Sequence, residues 1–308
     1  MGRDDMLRGT GMGGAEELEL YFHIPFCIRK CHYCDFLSAP ADEDTKIRYM
    51  EALLAETAGS APIYAGYSVT SVFIGGGTPS TVPVGRMEEL METVRGHYRL
   101  ERDAEVTMEV NPGTVGPEAL VRLRAVGVNR LSIGLQSADD KLLAAMGRIH
   151  TWEQFTEVFA AARQAGFDNI NVDVMSALPG QTPAGYLETL ERVCSLERPP
   201  EHISAYSLIL EEGTYLYDMY QRGKLDLLDE DTDRLMYRDT KTYLAKMGYG
   251  RYEISNYARE GCACRHNVGY WRRKDYAGFG IGAAPLVGNV RFQNGAGLDA
   301  YLAEPMGC

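Results

Sequence analysis

Six apolar, β-branched segments recur along the chain, bounded by Gly, Pro or Asn, with amphipathic stretches between them. They are Leu18–Ile24, Ser71–Gly77, Glu105–Asn111, Arg130–Gln136, Asn169–Leu178 and His202–Leu210. Strands separated by helices pair in parallel, and the helices must pack outside the sheet to bury their apolar stripes. A closed barrel of the usual kind needs eight such units. Six predict an α/β fold that is an open, partial barrel of (β/α)6 type. Functional groups are then expected at the C-terminal ends of the strands.

The clearest helix is TWEQFTEVFAAARQAG. Thr151 is placed to cap it, Trp152, Phe155, Phe159 and Ala162 share one face, and Gly166 supplies the stop. Ile47, Met50, Leu54 and Thr57 mark a weaker stripe. The Gly-rich residues 1–16 read as a mobile tail, and 17–213 as the partial barrel. After about Gly213 the character changes, so 214–308 is expected to be a smaller α+β extension. It opens with a helix over 229–248, acidic at its start as the macrodipole favours. RYEISNYA then reads as a strand, followed by the Gly- and aromatic-rich HNVGYWRRKDYAGFGIGAAP.

The net charge of −12 repels phosphate backbones, which argues against a nucleic-acid partner. No stretch is apolar and long enough to span a bilayer, and the N-terminus lacks a signal-peptide core. That places the chain in the cytoplasm, where thiols stay reduced. Seven cysteines, three of them clustered, argue for metal or redox chemistry over a disulfide framework.

The cluster lies in YFHIPFCIRKCHYCDF, where Cys27, Cys31 and Cys34 follow a strand with C-x3-C-x2-C spacing. Thiolates suit iron–sulfur clusters or zinc. A cubane normally takes four cysteines, so three leave one iron open to an outside chelator. Zinc would want a fourth protein ligand; His32 is at hand but adjoins Cys31, so its side chain tends to point away. Phe36 occupies the place two beyond Cys34.

This loop resembles that of the radical S-adenosylmethionine (SAM) superfamily. The wider phrase is similar to the group holding the oxygen-independent coproporphyrinogen III dehydrogenases and the HemW heme chaperones. The resemblance runs from Tyr21 to about Gly282. It implies a [4Fe-4S] cluster on Cys27, Cys31 and Cys34, with the amino and carboxylate groups of SAM on the fourth iron. An electron from the reduced cluster would break the sulfonium C–S bond, which calls for a reduced electron donor.

The resemblance also carries SAM contacts onto this sequence. Gly76, Gly77 and Thr78 of GGGTPS match the contact to the methionyl amino group; without the resemblance a glycine triplet reads equally as a tight turn. Glu109 and Asp173 sit in apolar strands, where a carboxylate needs a partner, either SAM or a structural ion pair. Gln136 and Arg148 match the same region, although Arg148 alone would read as a solvated surface residue. Tyr21 and Tyr33 match aromatic contacts, against the alternative of core tyrosines.

Two activities stay open. The dehydrogenase group adds a cysteine where Phe36 stands and carries a longer leading segment. The chaperone group shares YEISNYA and HNVGYW. In that group His266, Tyr270 and Trp271 are implied in heme binding, His266 as an iron ligand and the two aromatics as flat faces, against the alternative of a core cluster with a hydrogen-bonded histidine. The implied partners are heme or a porphyrin, heme-accepting target proteins including recipients at a membrane surface, and a second copy in a homodimer. Cys262, Cys264 and His266, if this piece is extended, would point to one side as a second metal or heme ligand set, against the alternative of an incidental loop. Cys194 reads as core. The resemblance implies a further helical region beyond YAGFGIGAAP, whereas from Pro285 the sequence departs from the pattern.

Overall fold

The computed structural model describes residues 15–306. The expected tail, nearly all of it, and Cys308 lie outside the described residues.

Six strands arrive in the expected places: β1 (Glu16–Ile24), β2 (Tyr67–Gly76), β3 (Leu100–Val110), β4 (Arg130–Gln136), β5 (Ile170–Ser176) and β6 (His202–Ser207). Each pairs in parallel with the next. Their near-continuous burial is that of strands covered on both faces. The last two end earlier than expected. β5 stops where Ala177 takes a positive φ of 57° before Pro179, and the stretch after Ser207 leaves the sheet and bears the exposed Ile209.

Helices α1 (Glu43–Ser60), α2 (Val84–His97), α3 (Pro117–Ala125), α4 (Asp140–Ala145), α5 (Trp152–Gln164) and α6 (Pro183–Cys194) fill the crossovers. α5 shows why the local sequence suffices. Thr151 Oγ1 accepts from Gln154 N while Gln154 Oε1 accepts from Thr151 N, a complete capping box. Phe155, Phe159 and Ala162 are buried, and Gly166 ends the turn at φ +89°. Truncating Phe155 to alanine would cost about 3–5 kcal/mol. Cys194 lies in the core, as expected.

Beyond residue 213 come α7 (Tyr215–Gln221), α8 (Glu230–Lys246), β7 (Gly250–Arg251), β8 (Asn256–Ala258), α9 (Arg265–Trp271), β9 (Asp275–Phe279), β10 (Leu286–Val287), β11 (Val290–Arg291) and α10 (Leu298–Ala303). RYEISNYA is not one strand. The Glu253 carboxylate accepts from Ile254 N and Ser255 N and turns the chain, so that β7 and β8 pair with each other. β8 adds antiparallel to β6, while β9 adds parallel to β1. All eleven strands form one sheet, β11-β10-β9-β1-β2-β3-β4-β5-β6-β8-β7, with two free ends and hence no closure. The sheet curls strongly, because Tyr21 of β1, Asp173 of β5 and Asn256 of β8 all line one cavity.

The segment after Pro285 is built into this frame. Tyr301 Oη donates to Glu56 Oε2, and Gly280 N donates to the same oxygen. Among the described residues no helix is long and apolar enough to cross a membrane.

Candidate functional site: the barrel lumen and its cysteine mouth

The cysteine loop leaves β1 and is tied back to it: Ala39 N donates to Pro25 O and Cys27 N to Ala39 O. Arg29 donates to Gly147 O and Arg148 O, and His32 Nδ1 hydrogen-bonds Ala145 O at the end of α4. His32 is thus held toward that helix, away from the loop's centre. The three thiols face a cavity of about 520 Å³. Burial raises the pKa of Cys34, so a positive metal centre is what would hold it as thiolate. Among the described residues no three His, Cys, Asp or Glu converge as ligands of a single ion do. Three soft donors set around a space, all from one loop, fit a cluster better than a lone ion.

GGGTPS closes on this loop from the end of β2. Gly77 N donates to Ile24 O and Thr78 N to Phe26 O. A Cβ on Gly77 would stand 2.7 Å from Phe26 O, so only glycine permits the approach. Gly76 holds φ +110° and donates its N–H to Glu109 Oε2 at 3.0 Å. Thr78 Oγ1 donates to Cys27 Sγ and accepts from Asn111 Nδ2.

Arg148 is no surface residue. Its Nη1 lies 3.6 Å from Cys31 Sγ, and Nη2 donates to Asn111 Oδ1 and Gly134 O. Asn111 therefore joins the two strand ends that flank the thiols. Nothing in MEVNPGT singled it out beforehand, because its role comes from where the end of β2 and the turn after α4 deliver Thr78 and Arg148. Gln136 sits at a positive φ of 71° beside a register shift in β4, the kind of local strain that gathers at working sites. Tyr33 packs on a small apolar cluster with Met146, Met175, Leu178 and Leu216.

Glu109 lines the cavity, and burial, then the nearby Asp173, raises its pKa to about 8. Asp173 Oδ1 accepts from Asn171 and Oδ2 from Ser132. Burial raises its pKa; those hydrogen bonds oppose the rise. Behind Asp173 runs a chain with one consistent polarity. Asn267 Nδ2 donates to Tyr252 Oη, Tyr252 Oη donates to His202 Nε2, and His202 Nδ1 donates to Asn171 Oδ1. Asn171 Nδ2 completes it at Asp173. Residues of YEISNYA and HNVGYW are thereby connected to a strand carboxylate inside the barrel.

HNVGYW forms α9, which plugs the far end of the lumen. Glu19, Ser71 and Glu105 share one register row near the strand starts. His266, 1% exposed, hydrogen-bonds Ser71 Oγ through Nδ1 and Tyr270 Oη through Nε2 and stacks on Phe73. Burial, then Arg130, lowers its pKa to about 3. Gly269 lets the helix press against Glu19, whose carboxylate a side chain there would strike.

The expected site residues thus meet in one place, with a single exception. Tyr21, the three cysteines, Tyr33 and the Gly76–Thr78 turn line the cavity, as do Glu109, Gln136, Arg148, Asp173, His266 and Tyr270. Trp271 lies outside it, 56% exposed. Cys262 and Cys264 do not share a side: Cys262 ends a turn, whereas Cys264 stands at the N-terminal boundary of α9, buried, with its Sγ donating to Glu105 Oε1.

An open parallel sheet with a three-thiol loop at the end of its first strand defines a class, and comparison identifies it. The family model for the radical SAM superfamily matches residues 21–193. The heme chaperone HemW of Lactococcus lactis is 36% identical over 92% of this chain and 73% of its own length. HemW of Escherichia coli is 38% identical over 90% of this chain and 71% of its own. The solved structure of E. coli coproporphyrinogen III oxidase (HemN), a radical SAM enzyme, superposes with a TM-score of 0.81 at 26% identity, over 94% of this chain and 69% of that one. The chain belongs to the radical SAM superfamily and, within it, to the HemW family.

Proposed function

We propose that the protein is a heme chaperone of the HemW type, which binds heme and passes it to apo-proteins. One observation carries the reading: the three-cysteine loop and the α9 motif open onto the same cavity, so a cluster site and a heme motif share one lumen. Cys27, Cys31 and Cys34 would hold a [4Fe-4S] cluster. Tyr21, Tyr33, Gly76, Gly77, Thr78, Glu109, Gln136, Arg148 and Asp173 would surround SAM. Such a pair supplies one-electron chemistry when bound. Thr78 Oγ1 and Arg148 Nη1 direct donors at the Cys27 and Cys31 sulfurs, which fixes two of the three prospective ligands in place.

For heme, His266 is the ligand, with Tyr270 and Trp271 offering flat faces. The low pKa of His266 supports this, because iron takes the neutral imidazole. Binding through Nε2 requires the ring to give up its hydrogen bond to Tyr270. The likeness to HemN favours a second reading, oxygen-independent coproporphyrinogen III dehydrogenase. We place the protein in the cytoplasm, where three clustered thiols would stay reduced and free to bind a cluster.

Anaerobic assay of the reconstituted chain separates the two. Transfer of heme to an apo-cytochrome without turnover of coproporphyrinogen III is expected; conversion to protoporphyrinogen IX would replace the chaperone reading with the enzyme. Cys31→Ser is expected to lose the cluster absorbance. His266→Ala should lower heme affinity about tenfold at unchanged iron–sulfur content; equal heme affinity would remove His266 as the ligand.

A further inference from the structure

Arg130 begins β4, at the end of the barrel opposite the cysteine loop, and the function above gives it no ligand to hold. The residue is 2% exposed and lines the cavity. Among the described residues it makes no hydrogen bond and no ion pair, and its Nε is enclosed without a partner. A buried, always-charged group left this way is costly unless a ligand completes it.

Glu105 and Asp173 favour its charge through space but do not hydrogen-bond it. Glu105 Oε1 is taken by Cys264 Sγ and His266 N. Both oxygens of Asp173 are taken by Asn171 and Ser132. Beside Arg130 in register stands Thr107, whose Oγ1 is also enclosed and unpartnered. A guanidinium fork that reaches the cavity matches a carboxylate.

We propose that Arg130 is a carboxylate-binding residue of the lumen floor, which receives a propionate of the tetrapyrrole. The inference rests on the heme reading above and adds its recognition element. Strand polarity selects the propionate over the carboxylate of SAM. The SAM carboxylate belongs at the cysteine loop, where the strands end, whereas Arg130 lies where they begin, within electrostatic reach of His266.

The test uses the full chain, loaded with its cluster under anaerobic conditions. Hemin, hemin dimethyl ester and SAM are titrated into wild type and Arg130→Met, with melting temperature and iron content followed for both. Hemin should bind the variant tenfold or more weakly, while the dimethyl ester binds both proteins alike and SAM affinity stays within twofold. Equal hemin affinity overturns the proposal and leaves a hydrated arginine. An equal loss for hemin and its ester also overturns it, because a distorted pocket would act so. Loss of SAM with hemin unchanged overturns the choice of the tetrapyrrole. Should Arg130→Met lose its cluster or melt early, Arg130→Lys keeps the charge without the fork. It should weaken hemin threefold or more against an unchanged ester, and no change there is equally fatal. Hemin that does not bind wild type defeats the heme reading itself, whereas hemin indifferent to residue 130 defeats this inference alone.

Discussion

Burial decides the charge of single residues here. Glu19 is 1% exposed, and burial raises its pKa from 4.5 to about 8, with Lys274 only partly opposing the rise. His266 falls to about 3. The two lie 3.7 Å apart, yet at neutral pH Glu19 keeps its proton and His266 has none, so no ion pair holds α9 in place. The folded state binds a proton at Glu19 that the unfolded state has lost, so this group weakens stability as pH climbs from 4.5 to 8. Glu109 acts with the same sign. His266 acts oppositely, because below 6.5 the unfolded chain takes a proton the folded one refuses. Glu19→Gln, which keeps the neutral form at every pH, should therefore flatten the alkaline limb. It should raise stability at pH 8 by a few kcal/mol, since each tenfold change in proton affinity is worth about 1.4 kcal/mol. Urea midpoints across pH 5–9 would show it, and parallel curves for the two proteins would refute it.

At the scale of elements, α9 and the β7–β8 turn matter for what they hold. Tyr252 lies between Asn267 and His202 in the chain that ends on Asp173. Tyr252→Phe keeps the ring but strips a buried acceptor and donor of their partner. A stability loss of about 1–3 kcal/mol is expected. Because the chain orients Asp173, affinity for SAM should also fall several-fold at unchanged cluster content. Calorimetric titration with SAM checks this; a purely structural role would lower the melting temperature and leave SAM affinity alone.

For the whole molecule, the residues after 213 complete the sheet at both edges. β9 covers the β1 edge, and β8 covers the β6 edge. Without them, the two strands carrying the cysteine loop and the end of the parallel run would expose open backbone ladders. The chain should accordingly unfold in one cooperative transition, with 17–213 and 214–308 melting together. Two resolved peaks in scanning calorimetry would contradict this.

Apolar, β-branched runs and their Gly, Pro and Asn bounds dictate six parallel strands, since strand propensity and turn chemistry act locally. Cysteine spacing is equally local, so the three-thiol loop was legible as a motif. Asn111, Arg130 and the chain from Asn267 to Asp173 were not. Asn111 lies 33 residues from Thr78 and Tyr252 lies 50 from His202, and only the curl of the sheet brings such groups together; Arg130 reaches the lumen by the same curl. The fate of DYAGF was likewise a tertiary matter: five residues become a strand because β1 offers an unpaired edge. The linear order specifies which pieces exist. Long-range backbone pairing determines which polar atoms meet, because desolvated donors and acceptors are selected by proximity in space.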